Sequence, residues 1–119
     1  MEENNKLIAE FMGYESYEYS GYRMFVLEEN NHRTDIDLHY HTSWDWLMPV
    51  VEKIEGMNIE IGGITTSPDV IIVYGDCTIQ DENDKKLFNF YHHSIDSKDK
   101  LGATYKAVVE FINDYNKIK

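Results

Sequence analysis

Val70-Ile71-Ile72-Val73-Tyr74 is an unbroken apolar run with no polar residue in alternation. A strand with one wet face alternates, so this run predicts a central strand covered on both sides. Such a strand needs a layer above and a layer below, and the remaining periodic segments that can supply them are helical. The run therefore predicts an α+β domain built as an α-β-α three-layer sandwich.

The flanking segments fill in that plan. Leu7, Ile8, Phe11 and Met12 recur at helical spacing before Gly13, which suits the residue after a helix end, where positive φ is needed. Tyr22 to Leu27 and Thr34 to His41 are β-rich runs joined by the polar Glu28-Glu29-Asn30-Asn31-His32, a predicted hairpin. Within the second run, Asp35, Asp37, His39 and His41 alternate with Ile36, Leu38 and Tyr40, so a strand here puts the acids and imidazoles on one face.

That stretch feeds a helix expected over about 43 to 54, with Leu47, Val50, Val51 and Ile54 as its core stripe and Gly56 beyond its end. Thr42 with Asp45 resembles a capping box but leaves Pro49 well inside the helix, while Asp45 as the N-cap would move Pro49 towards the first turn. Either way the helix should be bent or irregular before Pro49. Asn58 to Ile61 reads as a short strand ended by Gly62-Gly63, and Asp81 to Lys85 as a turn into a strand over Leu87 to His93. The last helix is opened by Asp96 and Asp99 and carries Leu101, Tyr105, Val108, Phe111, Ile112, Tyr115 and Ile118 on one stripe. The predicted order is α-β-β-α-β-β-β-α, with a mostly antiparallel sheet. Residues 1–119 hold no repeat, linker or composition break and read as one domain, with Val70, Ile72, Val108, Phe111, Leu47 and Val51 in one buried cluster.

Three segments together resemble the phage ABA sandwich domain, a small family carried by bacteriophages and prophages. They are Leu7-Ile8-Ala9-Glu10-Phe11-Met12-Gly13, then Tyr40-His41-Thr42-Ser43-Trp44 leading to Val50-Val51-Glu52-Lys53-Ile54, and the closing Ala107-Val108-Val109-Glu110-Phe111-Ile112. The resemblance spans nearly the whole chain and implies an α-β-α sandwich of phage or prophage origin. Pro49 and His41 depart from the family pattern, the first replacing a good helix former and the second a small hydroxyl residue. The resemblance brings no activity and no catalytic residues with it.

Charge narrows the partners. The chain has a formal net charge of −11, and residues 1–60 hold 13 acidic against 4 basic residues. An acidic face repels phosphate backbones and anionic lipid, so neither nucleic acid nor membrane is an expected partner. A basic protein, or self-association through the tyrosine-rich entry Tyr14, Tyr17, Tyr19 and Tyr22, is the kind of partner left, although covering the first helix and the sheet edge is the plainer reading of these tyrosines. Cys77 is the only cysteine, which leaves no intramolecular disulfide and fits the cytoplasm of a bacterial host. Met1-Glu2-Glu3-Asn4-Asn5 lacks the basic start of a signal peptide, and no apolar run approaches the roughly 20 residues that span a bilayer.

Candidate chemistry is thin. His39 and His41, with Asp37, are the weak candidates for a metal site if the strand holds, and His92-His93 joins them only if its strand is a neighbour. A solvated polar row is the plainer reading of the same residues. Cys77, just after an apolar strand, reads as a small core side chain rather than a nucleophile. No glycine-rich phosphate loop, activated carboxylate pair or cofactor motif is present. The expectation is a binding or accessory protein. The alternatives are a metal-binding protein or metal-dependent enzyme using His39 and His41, and an acidic inhibitor that mimics nucleic acid.

Overall fold

The computed structural model describes residues 2–73, 75–81, 87–93 and 99–118. Helix α1 (Glu2–Phe11) is followed by strands β1 (Glu15–Tyr19), β2 (Tyr22–Glu28) and β3 (Asn31–Thr34). Helix α2 (Trp44–Glu55) then leads to β4 (Ile59–Ile61), β5 (Ile64–Thr66), β6 (Pro68–Val73), β7 (Asp76–Asp81) and β8 (Asn89–His93), and α3 (Lys100–Ile118) closes the chain. The class is α+β. Every strand pairing is antiparallel, in sheets ordered β1-β2-β3, β4-β5 and β6-β7-β8. The expected helices are all present; β1, β5 and β7 are additional strands, and β3 lies mostly in the expected hairpin turn, sharing only Thr34 with the strand expected there.

Local chemistry explains the boundaries. Helix α1 ends in a Schellman motif: Gly13 (φ 84°) donates to Glu10 O at 3.0 Å and Tyr14 to Ala9 O at 3.3 Å. β1 and β2 are joined by Ser20 (φ 50°) and Gly21 (φ 82°), the two left-handed residues of a type I′ turn, whose twist matches that of the paired strands. At the start of α3, the Asp99 carboxylate accepts the Gly102 N–H at 2.9 Å, so Asp99 is the cap; its expected companion Asp96 lies outside the described residues.

Pro49 sits inside α2, whose N-cap is Ser43, and leaves the Asp45 carbonyl without its intrahelical donor. Asp45 and Pro49 are both exposed, while Leu47, Val50, Val51 and Ile54 are buried as expected. The expected strand over Thr34 to His41 is not formed beyond Thr34. Asp35–Asp37 is a 3-10 turn, and Leu38 and Tyr40 are buried while Ile36 is 60% exposed. Arg33 and His39 both bond the Asp37 carboxylate, and these short-range bonds hold the chain in a turn that a strand ladder would have to break.

The core joins α1, α2, α3 and the inner face of β6-β7-β8. Ile8, Leu47, Val50, Ile54, Ile79, Val108 and Ile112 are all fully buried in it. Of the expected cluster, Leu47, Val51, Val108 and Phe111 are buried, whereas Val70 and Ile72 are only partly so. The two-sided burial expected of Val70 to Tyr74 does not hold. β6 is an edge strand, its outer residues Ile71 and Val73 are 42% and 50% exposed, and Tyr91 beside Ile71 across the sheet is 56% exposed. The central strand is β7, with Cys77 and Ile79 under the helices; Tyr74 and residues 82–86 of the expected turn lie outside the described residues. No helix among the described residues is long and apolar enough to cross a membrane.

Candidate functional site

The 3-10 turn sends the candidate metal ligands in two directions. Asp37 Oδ2 accepts Arg33 NH1 at 2.9 Å and Asp37 Oδ1 meets His39 Nε2 at 2.9 Å, while Arg33 Nε is held by Asn31 Oδ1 at 3.1 Å. The Arg33 guanidinium holds the Asp37 carboxyl below the usual range, against partial desolvation and with help from His39. His41 turns instead to the α1–α3 junction, where its Nδ1 lies 3.0 Å from Asn5 Nδ2. An amide nitrogen only donates, so this Nδ1 is the acceptor and the His41 ring cannot present it to a metal. His92 and His93, on β8 in a different sheet from β2 and β3, pair with Glu110 of α3 and Asp76 of β7. Among the described residues no three His, Cys, Asp or Glu side chains converge on a point. Cys77 is buried under α3, and burial raises its thiol pKa, with Thr104 opposing the shift.

The first sheet is the unusual part of the surface. All five residues of β1 are exposed, although the strand is fully registered against β2 from Glu15↔Val26 to Tyr19↔Tyr22. Phe25 is fully buried, so the face it shares with Ser16, Glu18, Arg23 and Arg33 turns to the body. The opposite face carries Glu15, Tyr17, Tyr19, Tyr22, Met24 and Val26. Tyr19 and Tyr22 are 66% and 52% exposed, and Tyr17 is anchored by its hydroxyl to His32 Nδ1 at 2.7 Å. In a two-residue hairpin Tyr19↔Tyr22 is a hydrogen-bonded pair, so Tyr17 and Glu15 also point their backbone groups at β2. Ser16 and Glu18 therefore direct their N–H and C=O groups to the open edge, and among the described residues β1 pairs with β2 alone. Neither strand nor edge was expected from the sequence, although Ser20-Gly21 between two tyrosines is a turn signal.

Under the inner face of this sheet a cleft of about 300 Å³ opens against α2. Trp46 forms its floor, with Tyr40 edge-on at 5.3 Å and His39 edge-on at 5.4 Å. The Arg33 guanidinium carbon lies 5.7 Å from the Trp46 ring centroid. Trp44 and Trp46 are both half-buried against the core. A second, apolar hollow of about 150 Å³ lies over α3 among Phe88, Phe90, Phe111 and Tyr115.

Comparison of the chain with protein-family models, with curated proteins and with solved structures gives no match.

Proposed function

We propose that this protein is a binding protein that takes up a basic polypeptide segment along the open edge of β1. The observation that carries the proposal is a registered strand whose every side chain is exposed, bearing tyrosines that no core requires. Backbone groups of Ser16 and Glu18 supply the hydrogen bonds of an added strand, and side chains on its two faces supply selectivity. Tyr17, Tyr19 and Tyr22 offer ring faces to aliphatic or cationic side chains, and Glu15 offers a carboxylate on one side of the edge, while Glu18 on the other side is shared with Arg23 at 3.3 Å. The excess of acid in residues 1–60 adds long-range attraction for a basic partner. With the resemblance noted above, the reading becomes that of a small accessory protein of phage or prophage origin.

The test is a titration of isotope-labelled protein, followed by NMR, with a strand-forming peptide of alternating lysine and valine. The Ser16 and Glu18 amides should shift most, the affinity should fall as salt is raised, and a Tyr19→Ala/Tyr22→Ala double variant should bind more weakly. Shifts scattered over the acidic faces of α2 and α3, with β1 unmoved, would overturn the proposal.

A further inference from the structure

We infer that the cleft beneath the first sheet is a binding site for an alkylammonium or guanidinium group, and that Arg33, one of its walls, lies over part of its aromatic floor in the free protein. This inference stands on the inner face of the sheet and does not depend on what β1 binds at its edge. Three aromatic side chains, Tyr14, Tyr40 and Trp46, line the cleft, and Glu28 and Asp45 stand exposed around it. Aromatic faces carry negative charge density, and with carboxylates beside them they attract organic cations over neutral or anionic groups. The chain itself demonstrates the preference, since the Arg33 guanidinium already lies over Trp46.

The charge balance leaves room for a second cation. Arg33 is matched by Asp37 at 2.9 Å, while among the described residues neither Glu28 nor Asp45 is in an ion pair. The backbone is also adapted to the cleft. The register between β2 and β3 shifts between Val26 and Glu28, and the extra residue allows Leu27 and the following Glu28 both to line the cleft, where simple alternation would turn one of them away. Burial, reinforced by Tyr14, keeps the Tyr40 phenol protonated far above its ordinary range, so the wall it forms stays neutral. An anion would have Arg33 as its one attractive partner and Glu28, Asp45 and Asp37 against it, which sets the sign of the ligand.

The experiment uses n-butylammonium and N-ethylguanidinium as probes and n-butanol as the neutral control, observed at the Trp46 indole N–H by NMR and assigned with Trp46→Phe. The two cations should shift this signal saturably and the alcohol should not. Glu28→Gln/Asp45→Asn, at two exposed positions, should weaken cation binding by about tenfold. Arg33→Gln should strengthen it by vacating the ring face, with an unchanged far-ultraviolet circular dichroism spectrum confirming the fold. An N-acetyl-lysine methylamide arm separates the sources of the ligand: tighter binding than butylammonium indicates a side chain on a polypeptide, weaker binding a free amine. Equal shifts with butanol, undiminished binding in the double carboxylate variant, or loss of binding in Arg33→Gln would each overturn the inference.

Discussion

The hydroxyl of Tyr105 donates to Asn5 Oδ1 at 3.0 Å, joining the last helix to the first across a separation of 100 residues. The same amide donates from Nδ2 to Leu38 O and to His41 Nδ1, each at 3.0 Å. One buried side chain thus ties α1, α3 and the segment after the 3-10 turn together, and its orientation is set by partners on both sides.

Asn5→Ala removes the donor to a buried carbonyl and the acceptor of a buried hydroxyl at once. The expected loss is about 2–4 kcal/mol in urea unfolding, against about 1 kcal/mol for Tyr105→Phe, which removes one bond and keeps the ring. An Asn5→Ala variant as stable as the parent would show that the junction relaxes around the gap.

Burial pushes the Tyr105 phenol up to about 12 from the ordinary value of 10.0. A group raised in the folded state contributes stability that is present below its unfolded value and lost as pH climbs towards the folded one. Melting temperature should therefore fall between about pH 10 and 12, and Tyr105→Phe should flatten part of that fall. Parallel alkaline limbs in parent and variant would contradict this.

Phe111 is 2% exposed and makes edge or stacked contacts with Phe11, Phe88, Phe90 and Tyr115. Its replacement by Ala should cost about 3–5 kcal/mol, enough to unfold a marginal domain near physiological temperature. Calorimetry showing a melting point within a few degrees of the parent would place this ring outside the core.

Zinc should leave the melting temperature unchanged, because His39 and His41 are engaged by Asp37 and Asn5 in separate places. A zinc-dependent rise that His39→Ala abolishes would restore the metal reading.

DNA, double- or single-stranded, should not bind at physiological salt, nor at lower salt, since the electrostatic term has the wrong sign for phosphate. A mobility shift in a metal-free titration would show that Lys106 and Lys117 on α3 outweigh the acidic first half.

Much of the local structure was legible because it depends on neighbours in sequence. The stripe Leu47, Val50, Val51 and Ile54 and the helix stop at Gly13 follow from side-chain period and backbone steric preference, and the structure has both; of Asp96 and Asp99, expected together to open the last helix, Asp99 is the cap and Asp96 lies outside the described residues. The candidate site was not legible in the same way. The alternation of Asp35 to His41 is sound as a pattern, yet Arg33 and His39 close on Asp37 and turn the chain, parting His39 from His41. Glu15 to Tyr19 offered no apolar stripe to mark it, and it forms a strand because the Ser20-Gly21 turn lays it against β2.

The sequence by itself determined the α+β class, the three helices with their buried faces, and the acidic first half, since periodicity, capping and charge are properties of short stretches and their sums. Only the tertiary structure decided that β7 and not β6 is central, leaving Ile71 and Val73 in the open, and that among the described residues β1 pairs with β2 alone. The physical reason is that an apolar strand is equally compatible with a central and an edge position. Which one it takes depends on strand order and on where the helices land, and both are set by contacts between residues far apart in the chain.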